Sequence, residues 1–256
     1  MDEQGAGTWV IDLDGVIWLA EQPIPGSADA ITRLRQAGIG VLFATNNALP
    51  TLSELVAQLA RVGIAAQPEE LLTSAQAAAS LLDRGSTAVV CAGGGVLEAL
   101  ADQGVAVVAE GPADAVVVGL TRDFDFAMLA TAASAVHGGA RLVGTNDDAT
   151  YPTPGRLLPG AGALLAAVAT AAQVTPEVAG KPHEAIVALL GKRAPDASLV
   201  VGDRPSTDGL LARRLGVPYA LVRSGVTTKD ETPREVEPDI DAPDIAAVVD
   251  RHLASS

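Results

Sequence analysis

The sequence contains a single cysteine and few basic residues, and each scarcity excludes a class of protein. Cys91 alone cannot form an intrachain disulfide framework or a multi-cysteine metal site. The 17 Lys and Arg against 31 Asp and Glu leave a net charge of −14. Because nucleic-acid phosphates and anionic lipid surfaces are bound by basic patches, we expect neither as a partner. A small phosphorylated molecule stays possible, since a metal and one lysine can outweigh the global charge locally.

Long apolar segments are absent as well. No apolar run approaches the length that spans a bilayer, and the acidic, polar start of the sequence, residues 1–5, does not resemble a signal peptide. Hydrophobic residues still make up 48% of the 256, which is enough for one sizeable globular domain or two small ones. We therefore expect a soluble, cytoplasmic protein.

What the sequence does contain is an alternation of strand and helix patterns. Apolar, β-branched runs predict buried strands, and helical spacing of apolar residues predicts helices between them. The first predicted strand begins at Thr8, and further strands are predicted at 39–44, 88–92, 115–119, 141–146, 198–201 and 218–222. The predicted helices cover 26–36, 52–62, 163–172, 184–190 and 209–215. This rhythm indicates βαβ units and a parallel sheet.

Three other stretches are predicted to lack regular structure. Residues 151–162 and 228–244 are rich in proline together with glycine or acidic residues, and we expect irregular surface segments there. The glycine run 93–95 lacks the pattern of a dinucleotide-binding loop, which favours a tight turn.

The first predicted strand ends at Asp12 and Asp14, which are followed at once by Gly15. Open α/β sheets bind ligands beyond the carboxyl ends of their strands, and the i, i+2 spacing directs both side chains to one side of an extended chain. Two carboxylates at such a short distance repel each other unless a proton or a cation lies between them. On its own the string fits two interpretations equally: a magnesium site with a carboxylate free to attack, or aspartates that cap a turn or helix.

The second predicted strand is also followed by polar residues. Thr45 offers a hydroxyl, and the amides of Asn46 and Asn47 can donate hydrogen bonds where a helix begins. Such a position is suited to a phosphate group. The alternative for Thr45 is a simple helix cap.

Two later segments complete the set. Lys181 lies between a glycine and a proline, which predicts a fixed bend, and Asp203 follows an apolar strand where it could join Asp12 and Asp14 in an oxygen-rich cation site. Asp208 could orient Lys181 or a metal-bound water. Each residue alone could be a solvated charge or a loop acid. Their appearance in order at successive strand ends favours a catalytic site.

The combination of motifs resembles a known family. The strings Asp12-x-Asp14-Gly15, Thr45-Asn46-Asn47, Lys181 and Gly202-Asp203-x-x-x-Thr207-Asp208 resemble the four motifs of the haloacid dehalogenase superfamily of phosphatases. The long segment between the second and third motifs, with Gly144–Asp147 and the prolines and glycines that follow, resembles the inserted cap of its NagD-like branch.

The resemblance implies a fold and a domain arrangement. We expect an α/β protein with a doubly wound, Rossmann-like parallel-sheet core formed by residues 1–75 and 174–256. A smaller α/β cap domain, residues 76–173, would be inserted in that core and provide substrate specificity.

The resemblance also implies catalytic roles. Asp12 would be the nucleophile that forms an aspartyl-phosphate, and Asp14 would be the general acid that protonates the leaving alcohol and later activates water. Mg²⁺ would be bound by Asp12, by the backbone carbonyl of Asp14 and by Asp203. Asp208 would act from outside this ligand set.

Further residues would bind the substrate. The phosphoryl oxygens would be held by Gly15, Thr45, Asn46 and Lys181. The cap residues that the resemblance places nearest the substrate, and that would select it, are Asn146, Asp147 and Tyr151. Two departures from the family pattern fall in the fourth motif, Pro205-Ser206 and Gly209, and either could change the stiffness of that loop.

The predicted function is Mg²⁺-dependent hydrolysis of a small phosphate monoester, such as glycerol phosphate, phosphoglycolate or a nitrophenyl phosphate-like substrate. A homodimer formed through the cap is one possible assembly. Two alternatives stay open at this point. In the first, the same residues transfer the phosphoryl group to an acceptor other than water. In the second, the chain is a non-catalytic, receiver-like module phosphorylated on Asp12, although a general acid at Asp14 would shorten the lifetime of that aspartyl-phosphate.

Overall fold

The structure is a computed structural model that describes residues 7–20, 22–153, 156–232 and 235–254. The chain divides into two compact units. Unit 1 comprises Met1–Thr45, Leu55–Leu72 and Val187–Ser256, and unit 2 comprises Asn46–Glu54 and Thr73–Ile186. The core and cap boundaries expected from the sequence stay a prediction. Unit 2 differs from the expected cap by including residues 46–54, 73–75 and 174–186.

The described strands and helices alternate along most of the chain. The strands are β1 (Thr8–Ile11), β2 (Trp18–Leu19), β3 (Gln22–Pro23), β4 (Gly40–Thr45), β5 (Leu71–Thr73), β6 (Thr87–Cys91), β7 (Ala106–Val107), β8 (Ala115–Val118), β9 (Arg141–Gly144), β10 (Thr150–Thr153), β11 (Arg156–Pro159), β12 (Glu177–Val178), β13 (Ala197–Gly202), β14 (Tyr219–Val222) and β15 (Ile240–Ala242). The α-helices are α1 (Ser27–Gln36), α2 (Leu52–Arg61), α3 (Ser74–Ala79), α4 (Gly94–Gln103), α5 (Phe126–His137), α6 (Ala161–Ala172), α7 (Glu184–Arg193), α8 (Leu210–Leu215) and α9 (Ile245–Ala254). None of the helices among the described residues has the length and apolarity required to cross a membrane.

Unit 1 is built on a six-stranded sheet in the order β15-β14-β13-β1-β4-β5. Strand β1 pairs in parallel with β4 on one side and with β13 on the other, and β14 extends the sheet in parallel from β13 to β15. The chain therefore winds from β1 toward one edge and later returns to wind toward the other. This confirms the doubly wound parallel sheet, and β1 lies at its topological switch point.

The composition of β1 explains its central place. Trp9, Val10 and Ile11 are all buried, as expected for a parallel strand that is covered on both faces. Helix α1 begins directly after Gly26, whose φ of 83° belongs to the left-handed region that glycine tolerates. Its buried side chains recur at the helical period, so one face of α1 packs into the core.

Unit 2 contains a second parallel sheet of five strands in the order β12-β9-β8-β6-β7, and a separate antiparallel hairpin of β10 and β11. Helices α5 and α6 contribute most of the residues of one core of this unit, and β6, β8 and β9 supply most of the rest. The expected second α/β unit is therefore present.

The structure corrects three expectations about local structure. Residues 151–162, predicted to be irregular, contain β10, β11 and the start of α6, while positions 154 and 155 lie outside the described residues. A two-stranded ribbon leaves many backbone amides outside its ladder, and such positions tolerate proline. The segment 228–244, also predicted to be irregular, contributes β15 to the edge of the sheet in unit 1.

The glycine run 93–95 is the third correction, because α4 begins there. A Cβ atom added to Gly95 would lie 2.1 Å from the carbonyl oxygen of Pro50. The run thus permits a close backbone approach at a helix start. Helices α3, α4, α5 and α9 were not predicted. Alanine-rich α3 and α5 show little contrast between their faces, whereas the buried residues of α4 and α9 recur at helical spacing, a signal that the prediction did not use.

Candidate active site

Three carboxylates of unit 1 form a compact cluster. Asp12, Asp203 and Asp208 each offer an oxygen atom, and these oxygens all lie within 4.8 Å of one another. The exposed fractions of the three residues are 8%, 3% and 1%. Asp12 follows β1 and Asp203 follows β13, and the amide of Asp12 extends the ladder by donating to the carbonyl of Val201 at 2.9 Å. The neighbouring strand ends therefore bring the acids together, as the sequence predicted for Asp12 and Asp203.

Asp208 joins the cluster through a turn of π-helix, Pro205–Gly209. The backbone amide of Arg204 donates to Oδ2 of Asp208 at 3.2 Å. A Cβ atom added to Gly202 would lie 2.2 Å from Cγ of Asp208, so glycine is needed for the carboxylate to lie against the strand end. The sequence predicted that Asp208 acts outside the metal ligands, and this role stays a prediction; the structure shows that its oxygen lies within 4.8 Å of those of the other two acids.

Packing explains the glycine at position 209, one of the departures from the family pattern. A Cβ atom there would lie 3.0 Å from Val236 and 3.1 Å from the ring of Tyr219. Tyr219 is itself buried, and its hydroxyl donates to the carbonyl of Gly202 at 3.3 Å. Burial, followed by the negative charges of the three clustered acids, raises the pKa of Tyr219 far above its usual range. The hydroxyl is thus a permanent hydrogen-bond donor beneath the cluster.

Asp14 is exposed, and its carboxylate is hydrogen-bonded to the side chain of Trp18. The indole Nε1 of Trp18 donates to Oδ1 of Asp14 at 3.0 Å. Between them, Gly15 has a φ of 87°, and its amide donates to the carbonyl of Trp18 at 2.6 Å. The glycine therefore shapes this turn, while its expected contact with phosphate stays a prediction. Thr45 ends β4 and is buried, and its phosphate contact likewise stays a prediction.

Asn46 and Lys181 lie together in unit 2. The backbone amide of Lys181 donates to Oδ1 of Asn46 at 2.8 Å, and Nδ2 of Asn46 donates to the carbonyl of Lys181 at 3.1 Å and to Asp148 at 3.0 Å. Gly180 lies so close to Asn46 that an added Cβ would be 2.6 Å from Oδ1. The structure therefore shows Asn46 holding the backbone of the predicted phosphate-binding lysine.

The predicted specificity residues have different surroundings. Asn146 is buried, and its Nδ2 donates to the carbonyl of Asn46 at 2.7 Å, which ties it to the same polar network. Asp147 is more exposed and lies 3.0 Å from Nε2 of His183. The hydrogen bond from His183 lowers the pKa of Asp147. Tyr151 is half-buried in β10. Substrate selection by these residues stays a prediction.

Sequence reasoning did not assign Trp18 or His183 to the site. The i, i+4 spacing of Asp14 and Trp18 was a local signal for their contact. The pairing of Asp147 with His183 joins residues 36 positions apart and had no such signal.

An oxygen-rich acidic cluster at the switch point of a doubly wound sheet defines a class of α/β enzymes that bind a divalent cation beside the substrate. Two family profiles match the chain: haloacid dehalogenase-like hydrolase over residues 9–106 and a HAD-hydrolase-like profile over 178–248. The chain belongs to the haloacid dehalogenase-like hydrolases, and within them to the NagD-like phosphatase branch.

Curated relatives support this placement. The chain is 33% identical over 237 residues to the acid sugar phosphatase of Staphylococcus saprophyticus, covering 90% of this chain and 91% of the relative. It is 39% identical over 231 residues to the D-glycerol 3-phosphate phosphatase of Mycobacterium tuberculosis. That second match covers 86% of this chain but only 63% of the relative.

Similar solved structures support the same family placement. The structure of a glycerol phosphate phosphatase from Mycobacterium tuberculosis in complex with magnesium matches with a TM-score of 0.86 and 34% identity, covering 96% of this chain and 77% of that one. NagD from Escherichia coli matches with a TM-score of 0.84 and 28% identity, covering 95% and 98%. The family resemblance, the fold class and the phosphatase class predicted from the sequence are confirmed.

Proposed function

We propose that this protein hydrolyses a small phosphate monoester with Mg²⁺ as cofactor and with Asp12 as nucleophile. The observation that carries the proposal is the buried cluster of Asp12, Asp203 and Asp208 at the switch point of the sheet. Glycerol phosphate is the first candidate substrate, and a sugar phosphate is the second. The names of the relatives support both choices.

The acidic cluster fits a divalent cation. Its donors are carboxylate oxygens, the ligands that Mg²⁺ prefers, and three buried acids this close repel one another unless positive charge lies near them. Asp12, Asp203 and the backbone carbonyl of Asp14 would bind the ion, with Asp208 near enough to bind it or one of its waters. When bound, Mg²⁺ offsets the charge of the phosphate dianion, which a carboxylate otherwise cannot approach.

The aspartates then act in sequence. A carboxylate oxygen of Asp12 attacks phosphorus, and as the new O–P bond forms, the P–O bond to the alcohol breaks. Asp14 gives its proton to the departing oxygen, so the alcohol leaves neutral. In the second half, Asp14 takes a proton from water while the water oxygen attacks phosphorus. Inorganic phosphate leaves, and the carboxylate of Asp12 is regenerated.

The remaining predicted residues bind the phosphoryl group. We propose that Lys181 and Thr45 contribute charge and a hydroxyl to its oxygens, with the amide of Gly15 assisting. The polar network of Asn46 supports a fixed backbone position for Lys181. A buried lysine with little freedom loses less entropy when it binds the substrate.

The test is phosphate release from a panel that includes glycerol phosphate, phosphoglycolate, sugar phosphates and p-nitrophenyl phosphate, with Mg²⁺ and with EDTA. We expect turnover of one or two members, abolished by EDTA. Phosphate transfer to an added alcohol without release of inorganic phosphate would favour the phosphotransferase. No turnover, with a phosphorylated protein that persists for minutes, would favour the receiver-like module.

A further inference from the structure

A short segment after β14 contacts the acidic cluster from outside the four motifs. The backbone amide of Val226 donates to Oδ2 of Asp203 at 2.5 Å. The hydroxyl of Ser224 donates to the carbonyl of Gly15 at 2.7 Å. One segment thus holds both the acid that follows β13 and the turn that follows β1.

Gly225 lies between these two contacts and directly against Asp203. A Cβ atom added to Gly225 would lie 1.9 Å from Oδ2, 2.5 Å from Cγ and 2.6 Å from Cβ of Asp203. The three heavy atoms nearest to this added Cβ thus all belong to Asp203. The φ of Gly225 lies outside the left-handed range, so an alanine there does not meet left-handed backbone strain. Side-chain size at position 225 therefore acts on the carboxylate of Asp203.

Arg223 fixes the same segment from its other end. Its guanidinium donates to the carbonyls of Thr228 and Glu231 at 2.7 and 2.8 Å, and it forms a two-pronged ion pair with Asp241 of β15. The side chain of Arg223 is only 9% exposed. The loop that carries Gly225 is therefore anchored to the sheet and cannot easily move aside.

We propose that Ser224, Gly225 and Val226 form a positioning segment that holds the carboxylate of Asp203 in the orientation required for the divalent cation. This inference rests on the proposed function, because it takes Asp203 as a metal ligand. A main-chain N–H bond to a ligating carboxylate fixes its rotamer and therefore the direction of its oxygens. Loss of such an outer contact commonly weakens metal affinity by about 10- to 100-fold.

The experiment measures Mg²⁺ binding by isothermal titration calorimetry, without substrate, on the full chain. Gly225→Ala should weaken Mg²⁺ binding by roughly 10- to 100-fold. Ser224→Ala should weaken Mg²⁺ binding by a smaller factor. Ser224→Thr, which keeps the hydroxyl, should bind Mg²⁺ as the unaltered protein does. Turnover of the Gly225→Ala protein should recover when Mg²⁺ is raised in proportion, with the KM for the ester unchanged.

Matched controls separate positioning from general damage. Gly191→Ala is a glycine-to-alanine change in α7 where an added Cβ meets no atom within 4 Å. Ser80→Ala removes a hydroxyl bond of 2.7 Å to a backbone carbonyl in unit 2. Both controls should bind Mg²⁺ as the unaltered protein does. Urea unfolding in EDTA checks that each variant is folded. If Gly225→Ala is not folded, the comparison of Ser224→Ala with Ser224→Thr tests the positioning role.

The two proposals fail in different ways. If the unaltered protein does not bind Mg²⁺, or if Asp203→Asn binds it equally well, the proposed metal site is wrong. If Asp203→Asn loses Mg²⁺ while folded Gly225→Ala and Ser224→Ala retain full affinity, the metal site stands and the positioning segment is refuted.

Discussion

The indole nitrogen of Trp18 donates a hydrogen bond to Oδ1 of Asp14, with 3.0 Å between the two atoms. Trp18 is almost fully buried, so its ring cannot follow an exposed carboxylate that moves. The bond therefore restricts Asp14, the proposed general acid, to one orientation.

Replacing Trp18 by Phe tests this restriction. The change keeps a buried aromatic ring but removes the only donor of the indole, and we expect kcat to fall about 10-fold, within the range that a general acid contributes. The loss should be greater for an alkyl phosphate than for p-nitrophenyl phosphate, because nitrophenolate leaves without a proton. An equal loss on both substrates would mean that Trp18 affects packing and not proton transfer.

Asp12→Asn tests the nucleophile. The two side chains are nearly isosteric, but an amide does not attack phosphorus, so we expect phosphate release to fall to the detection limit while the folded state is retained. Circular dichroism and the urea midpoint check the fold. Asp102→Asn, an exposed carboxylate on α4, is the matched control and should have unchanged activity. Substantial turnover by Asp12→Asn would remove the assignment.

Asn46→Ala tests the network around Lys181. The substitution removes the hydrogen bond that Nδ2 of Asn46 donates to the carbonyl of Lys181 and the one that Oδ1 accepts from the amide of Lys181. A displacement of about 1 Å can cost roughly 100-fold in rate, so we expect kcat/KM to fall by one to two orders of magnitude, with a raised KM. Gln103→Ala removes a comparable amide-to-carbonyl bond to Leu82 and serves as the control. Similar kinetics for both variants would contradict a positioning role for Asn46.

His183→Ala tests the contact with Asp147. The hydrogen bond from His183 lowers the pKa of Asp147 below 3.8, so the pair stabilises the fold above that pH, and the contribution is lost as the pH falls through the lowered pKa. The carboxyl ¹³C resonance of Asp147 should titrate at a higher pH in the variant. The stability difference from the unaltered protein should shrink in acid. An unchanged midpoint would show that the two side chains do not interact in solution.

Cys91 should be unreactive in the folded protein. Burial raises the pKa of its thiol to about 11, so the reactive thiolate is scarce at pH 8. We expect DTNB to label it only after urea unfolding. Because the folded pKa lies above the ordinary value of 9.0, the contribution of the buried thiol to stability is present below pH 9 and decreases as the pH rises toward 11. Rapid labelling of the folded protein would contradict the burial.

Several features of this protein follow from its sequence alone. The parallel sheet was predictable because buried strands are continuous apolar runs, and Asp12 and Asp203 were predictable because each directly follows such a run. Parallel strands end at one edge, so residues that follow neighbouring strands meet there without further information. The family motifs added the order of the residues along the chain.

The tertiary structure decided the contacts between distant residues. Lys181 and Asn46 are separated by 135 positions, and Gly15 and Ser224 by 209. No local pattern encodes such a pair, because it depends on how loops of two different strands approach each other. The close approach of Gly225 to Asp203 is of the same kind. The sequence by itself thus determined which acids stand at the strand ends. Packing between loops, which optimises many weak contacts at once, decided what holds them in place.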